Sequence, residues 1–222
     1  MESSRTPVIE LLPEQGPSRQ LFVMLHGVGL TASSMLPLAV TLRHYFPAAA
    51  MLLPEAPHAF DSGLHGRQWF SRSGLNDGNR HERVSRALPA LAELIRRSQD
   101  RLKLLPPDTA LIGFSQGAVM ALELSAAYDG LAGRVLSFSG RYARLPDKAP
   151  ELTTLHFFHG QADTVIPAAF SNAAYEHLAA RQADATLDLA SGVGHEIHPA
   201  LIERAVSRLQ TCIPLRTWRR AL

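Results

Sequence analysis

Ser115 stands at the centre of Gly113-Phe114-Ser115-Gln116-Gly117, a Gly-x-Ser-x-Gly pattern. A serine hydroxyl is a weak nucleophile near neutral pH, and it needs an imidazole to take its proton as it attacks a carbonyl carbon. The imidazole needs a carboxylate on its second nitrogen to fix its tautomer. Downstream the chain supplies Asp163, in His159-Gly160-Gln161-Ala162-Asp163, and His195, in Gly192-Val193-Gly194-His195. Acyl transfer also needs donors for the developing oxyanion. The turn around Ser115 aims the Gln116 N–H at the same space, and the N–H of Val28, in His26-Gly27-Val28-Gly29-Leu30-Thr31, is the expected second donor.

Each residue also has a plainer reading. Ser115 could be the N-cap of a helix after a glycine-rich turn. Asp163 could cap a helix beginning at Pro167, and Asp188 is a rival carboxylate within a predicted strand. His195 is one of ten histidines, and His198 is placed by the pattern inside the next helix. His26 reads as a residue that shapes its loop. His195-Glu196-Ile197-His198 lacks the His-Glu-x-x-His spacing of a zinc helix, so no metal is expected.

The elements that would position these groups are legible as short apolar runs and amphipathic stretches. Pro7 to Leu12 reads as an edge strand; Gln20–Leu25 and Thr109–Phe114 read as strands covered on both faces, and Ala49–Leu53, Gly133–Gly140, Thr153–Phe158 and Ala185–Ala190 as further strands. Helices are predicted from Met35 to Tyr45, Glu82 to Leu104 with Pro89 as a kink, Ala118 to Tyr128, Ala168 to Arg181 and Glu196 to Gln210. The alternation predicts an α/β fold, a mostly parallel sheet between helices. Four strand ends then carry His26 to Val28, Ser115, Asp163 and His195, and such sheets bind ligands at their strands' carboxyl ends. Residues 55–79 form an irregular stretch whose Arg67-Gln68-Trp69-Phe70 needs a surface to pack on, which predicts a flap over the site or else a loop with one aromatic anchor tucked into the core.

The 222 residues suit one domain, 1–222, with an N-terminal edge segment over 1–19 and a basic tail over 211–222 that holds Arg216, Trp218, Arg219 and Arg220. A 46% hydrophobic and 19% charged composition is ordinary for a globular chain. A net charge of +2 excludes an electrostatic case for nucleic acid. The single cysteine, Cys212, permits no internal disulfide and reads as a small buried residue. With no signal-like start and no span-length apolar run, the chain reads as cytoplasmic, without stable membrane insertion. Its oligomeric state stays open, a homodimer included.

Leu25-His26-Gly27-Val28-Gly29, Trp69-Phe70, Gly113-Phe114-Ser115-Gln116-Gly117-Ala118, His159-Gly160-Gln161-Ala162-Asp163 with Pro167, and Gly192-Val193-Gly194-His195 resemble the phospholipase/carboxylesterase family of α/β-hydrolases. Ser, Asp, His is also the chain order of an α/β-hydrolase triad. The resemblance runs from about Gln20 to Gln210. It implies a cofactor-free serine hydrolase with Ser115 as nucleophile, Asp163 and His195 as its partners, and Val28 and Gln116 as oxyanion donors. It also implies that the Trp69 segment borders the acyl groove, so Arg67, Trp69, Phe70 and Leu30 are the expected substrate-binding residues. Family members often carry Trp-Phe-Asp in the flap, where this chain has Ser71. The expected substrate is a short- to medium-chain acyl ester, with a thioesterase, a lysophospholipase or a non-catalytic binder on the same scaffold as alternatives. Arg67, Arg72 and Arg141 are candidates to ring the entrance for anionic substrates, or else solvated surface charges.

Overall fold

Along Gln20–Leu25 (β2), Leu21, Val23 and Leu25 join one buried apolar cluster, while Phe22 and Met24 join another. Successive side chains of a strand point to opposite faces, so two clusters mean a sheet covered on both sides. In the computed structural model, which describes residues 7–63 and 65–212, that sheet has seven strands. The other six are Val8–Leu11 (β1), Ala49–Pro54 (β3), Thr109–Phe114 (β6), Arg134–Phe138 (β7), Thr154–Gly160 (β8) and Ala185–Ala190 (β9). Their spatial order is β1-β3-β2-β6-β7-β8-β9. Only the β1 edge strand runs antiparallel to its neighbour, and every other pairing is parallel. His58–Ala59 (β4) and Arg67–Gln68 (β5) form a separate small ladder within the flap.

Leu36–Tyr45 (α1) and Pro199–Thr211 (α5) cover the Phe22 face through Leu38, Leu42, Leu201 and Ala205. Asp77–Leu102 (α2), Gln116–Ala127 (α3) and Ala169–Ala179 (α4) cover the other through Leu88, Ile95, Leu122 and Leu178. Each fully buried Leu or Phe contributes about 1.5–3 kcal/mol to this sandwich. The result is a single-domain α/β-hydrolase fold. No helix among the described residues is long and apolar enough to cross a membrane.

Several boundaries differ from expectation. The long helix begins at Asp77, because Asn76 and Asn79 cap it reciprocally, side chain to backbone N–H. It continues through Pro89, which lies on the exposed face. β8 runs on to Gly160, so His159 is a strand residue rather than part of a turn. The tail from residue 213 onward, with Trp218 and the arginines, lies outside the described residues.

Candidate active site

The strand order reverses between β2 and β6. After β2 the chain leaves for α1 on one face, and after β6 it leaves for α3 on the other. The two diverging connections open a crevice at the strands' carboxyl ends, and Ser115 sits there.

Ser115 adopts φ 53° and ψ −116°, a backbone conformation that L-residues rarely take. Its surroundings impose it. The Ser115 N–H donates to Phe138 O at 3.0 Å, and its carbonyl accepts from the Val119 N–H at 3.1 Å. The bend itself requires glycine on both sides. A Cβ on Gly113 would stand 2.4 Å from Gly117 O, and one on Gly117 2.1 Å from Leu25 O, both backbone atoms with nowhere to go.

The structure brings Ser115, His195 and Asp163 into line. His195 Nε2 lies 2.9 Å from Ser115 Oγ, and its Nδ1 lies 2.7 Å from Asp163 Oδ2. The Asp163 side chain is fully buried, and its other oxygen accepts from the Val165 and Ile166 N–H groups at 2.8 and 2.9 Å. Burial alone would push this carboxyl up. The His195 hydrogen bond and these backbone donors outweigh it and hold the group below its usual range. His159 packs behind it. The His159 Nε2–H donates to Ile166 O at 2.7 Å, and its Nδ1 is 2.7 Å from Ser171 Oγ. Burial lowers the His159 pKa, in keeping with a neutral ring. The helix at Ala169 is preceded by Ala168 as N-cap, so Asp163 is not that helix's cap.

His195 follows a loop pressed onto the end of β8. The Ala162 N–H donates to Val193 O at 2.9 Å, and a Cβ on Gly160 would come within 2.3 Å of the same oxygen. Asp188, the rival carboxylate, is bound by Arg204 at 2.8 Å and Arg208 at 3.0 Å, which ties α5 to β9. His198 is the N-cap of α5 rather than an interior residue, its Nδ1 accepting the Ala200 N–H at 3.2 Å.

The flap is fastened to this turn. The Gln116 side chain accepts the Trp69 N–H at 2.8 Å and donates to Phe70 O at 2.8 Å. Trp69 turns inward, its Nε1–H donating to His26 O at 2.9 Å. His26 shapes its loop, as expected. Its Nδ1–H donates to Gly27 O and its Nε2 accepts the Ala56 N–H, and burial lowers its pKa. Arg67 is bonded at both levels. Its backbone pairs with Gly29 and Leu30, and its guanidinium donates to Ala56 O and Pro57 O. Asp61 gathers the flap's tip by accepting from Gln68 Nε2, Ser71 Oγ and the Arg72 and Ser73 N–H groups. The Gln68 and Ser71 bonds lead in lowering its pKa to about 2. Ser71, at the position where relatives often have aspartate, is therefore a donor to a carboxylate ten residues earlier.

Above Ser115 lies an open cavity of about 430 Å³. Phe70 and Leu30 line it as expected, whereas Trp69 and Arg67 do not. These two support the flap from behind because their polar groups are already spent on backbone atoms. Val28 borders the cavity, and its N–H finds no hydrogen-bond acceptor among the described residues. The Gln116 N–H belongs to the first turn of α3, where no carbonyl four residues back is available to it. Arg72 and Arg141 also line the cavity, and so does Arg80, which falls between the irregular stretch ending at 79 and the helix expected from Glu82 and was assigned to neither.

A family model described as phospholipase/carboxylesterase matches residues 7–213. Esterase YpfH of Escherichia coli (strain K12) is 40% identical over 207 residues, covering 93% of this chain and 88% of that protein. Acyl-protein thioesterase 1 of Eremothecium gossypii is 23% identical over 223 residues, covering 92% of each chain. The crystal structure of esterase PE8 superposes with a TM-score of 0.84 at 28% identity, covering 92% of this chain and 97% of its own. The chain is a hydrolase that belongs to the phospholipase/carboxylesterase family.

Proposed function

We propose that the protein is a serine carboxylesterase in which Ser115 is the nucleophile, His195 the general base and Asp163 the carboxylate that orients the base. The observation that carries this reading is the unbroken Oγ–Nε2 and Nδ1–Oδ2 line of 2.9 and 2.7 Å, set on a strained turn at the crevice. Ser115 Oγ attacks the ester carbonyl and its proton passes to His195 Nε2. The tetrahedral oxyanion accepts from the Val28 and Gln116 N–H groups, each worth about 2.7–4 kcal/mol in a preorganised site. His195 then returns the proton to the departing alkoxide, leaving an acyl-Ser115 ester. Water, deprotonated by His195, attacks that ester, and the acid leaves as Ser115 Oγ recovers the proton.

A carboxyl ester is favoured over a thioester because the 40% identical relative is named an esterase, while the relative named a thioesterase is 23% identical. The cavity volume falls within the range of about 300–1,000 Å³ usual for small ligands, which supports a short or medium acyl group. Ser115→Ala removes only an oxygen. It should keep the wild-type melting temperature, lower turnover of 4-nitrophenyl butyrate about 10⁴-fold or more, and abolish labelling by a fluorophosphonate. Undiminished turnover in that variant would refute the assignment.

A further inference from the structure

Two hollows meet at His195, and they differ in chemistry. One, between α1 and α5, is bordered by Leu30, Met35, Leu38, Ile197 and Ile202. The other, the cavity above Ser115, has apolar walls but also three guanidinium groups, from Arg72, Arg80 and Arg141.

Arg80 and Arg141 are largely withdrawn from water, with side chains 22% and 18% exposed. The carboxylate nearest to them is Asp77, itself 84% exposed, whose Oδ1 stands 3.5 Å from Arg80 and 3.7 Å from Arg141. A solvated carboxylate at such distances compensates little. Arg80 Nε is buried and has no acceptor. Arg72 makes no ion pair among the described residues. The cavity thus holds more positive charge than its own carboxylates offset.

Nor are these forks loosely mounted. The Arg141 guanidinium sits over Phe170, its Cζ 3.8 Å from the ring centroid, and its Nε–H donates to Tyr142 O at 3.1 Å. The residues that follow are anchored by buried Glu123, which accepts the Ala143 N–H at 2.7 Å and the Arg144 N–H at 3.4 Å. The Asn76–Asn79 cap fixes the backbone that carries Arg80 in the first turn of α2. Burial and then the neighbouring Arg80 make the Arg141 charge less favourable, and Asp77 recovers only part of this. Two largely buried guanidinium groups at one cavity form a receptor for a planar oxyanion. Asp77 already reaches both forks with one oxygen, which shows that a carboxylate can bridge them.

Resting on the esterase reading above, we propose that Arg80 and Arg141, with Arg72 at the same cavity, bind a carboxylate carried by the substrate. The preferred ester is then a carboxylate-bearing one, with its uncharged part in the apolar hollow beside α1 and α5. Charge-assisted hydrogen bonds of this kind are worth about 1.5–3 kcal/mol, so the preference should be about tenfold or more.

The test compares kcat/KM for 4-nitrophenyl hemiglutarate with 4-nitrophenyl butyrate, and for 3-carboxyphenyl butyrate with phenyl butyrate. The first pair places the anion on the acyl side, the second on the alcohol side. Wild-type enzyme should favour the anionic member in at least one pair, and raised ionic strength should shrink that ratio. Arg80→Met and Arg141→Met should bring the ratio close to one, and Arg141→Lys, which keeps the charge but not the fork, should fall between. Wild-type ratios at or below one in both pairs would overturn the proposal without any variant. So would variants that depress both members equally, as a merely structural role for these arginines requires. Failure to turn over any of the four esters would instead sink the esterase reading itself.

Discussion

At the scale of single residues, the site depends on which nitrogen of His195 meets which oxygen. Asp163 is held ionised against its burial by three donors, so it offers His195 Nδ1 a charge as well as an acceptor. Asp163→Asn keeps the volume and removes the charge. An amide that presents its NH₂ to Nδ1 selects the wrong tautomer and leaves Nε2 protonated against Ser115. The expected outcome is a loss of about 10⁴-fold in kcat with the melting temperature little changed, read by ester hydrolysis and calorimetry. The choice of Asp163 and His195 over Asp188 and His198 was legible because strand ends, not strand interiors, face such a crevice. For Trp69 two readings stood open, a flap over the site and an anchor tucked into the core, and the side chain turns inward; Arg67 was expected at the groove from the family resemblance, with no sign of its inward turn. Contacts with His26 O, Ala56 O and Pro57 O, distant in sequence, decide both. Arg80 escaped notice because it precedes Glu82, where periodicity starts the helix, and only the Asn76–Asn79 cap places it on α2.

At the scale of elements, the flap and the nucleophile turn are one assembly. Gln116 lends its backbone to the proposed oxyanion site and its side chain to Trp69 and Phe70. Gln116→Ala keeps the backbone N–H but leaves a buried donor and a buried acceptor unpaired, at a cost of about 1–3 kcal/mol each. The melting temperature should fall, and hydrogen exchange at the flap amides, Trp69 above all, should quicken more than exchange in β6. Equal protection in variant and wild type would mean the flap is held by other contacts. The Asn76–Asn79 cap was the available signal for the start of α2. Apolar periodicity begins only at Val84, so a reading led by periodicity starts the helix too late.

At the scale of the whole molecule, burial sets the response to acid. His26, His156 and His159 all have pKa values lowered chiefly by burial, that of His156 to about 3. Each is neutral when folded and free to take a proton when unfolded at its ordinary value near 6.5. The unfolded state therefore binds more protons below that pH. The stabilisation is intact above about pH 6.5 and is lost as pH falls below it, for His156 down to about 3, with a limiting slope for that ring of about 1.4 kcal/mol per pH unit. Urea midpoints measured at pH 7.5, 6.5, 5.5 and 4.5 should be level across the first step and then decline. A midpoint that rises on acidification would contradict the neutral assignment. The sandwich itself was legible in the chain, because six runs of apolar residues alternate with amphipathic helices and only a doubly covered parallel sheet accommodates both.

The order in which these parts leave the ribosome carries its own consequence. The serine's strand lies mid-sheet and mid-chain, while the imidazole follows β9, the last strand and an outer edge. Under the proposed triad, a growing polypeptide displays a lone hydroxyl for as long as it takes to translate some eighty further codons, and the imidazole joins it only as the final edge strand docks. Catalytic competence, on that proposal, is tied to completion of the sheet.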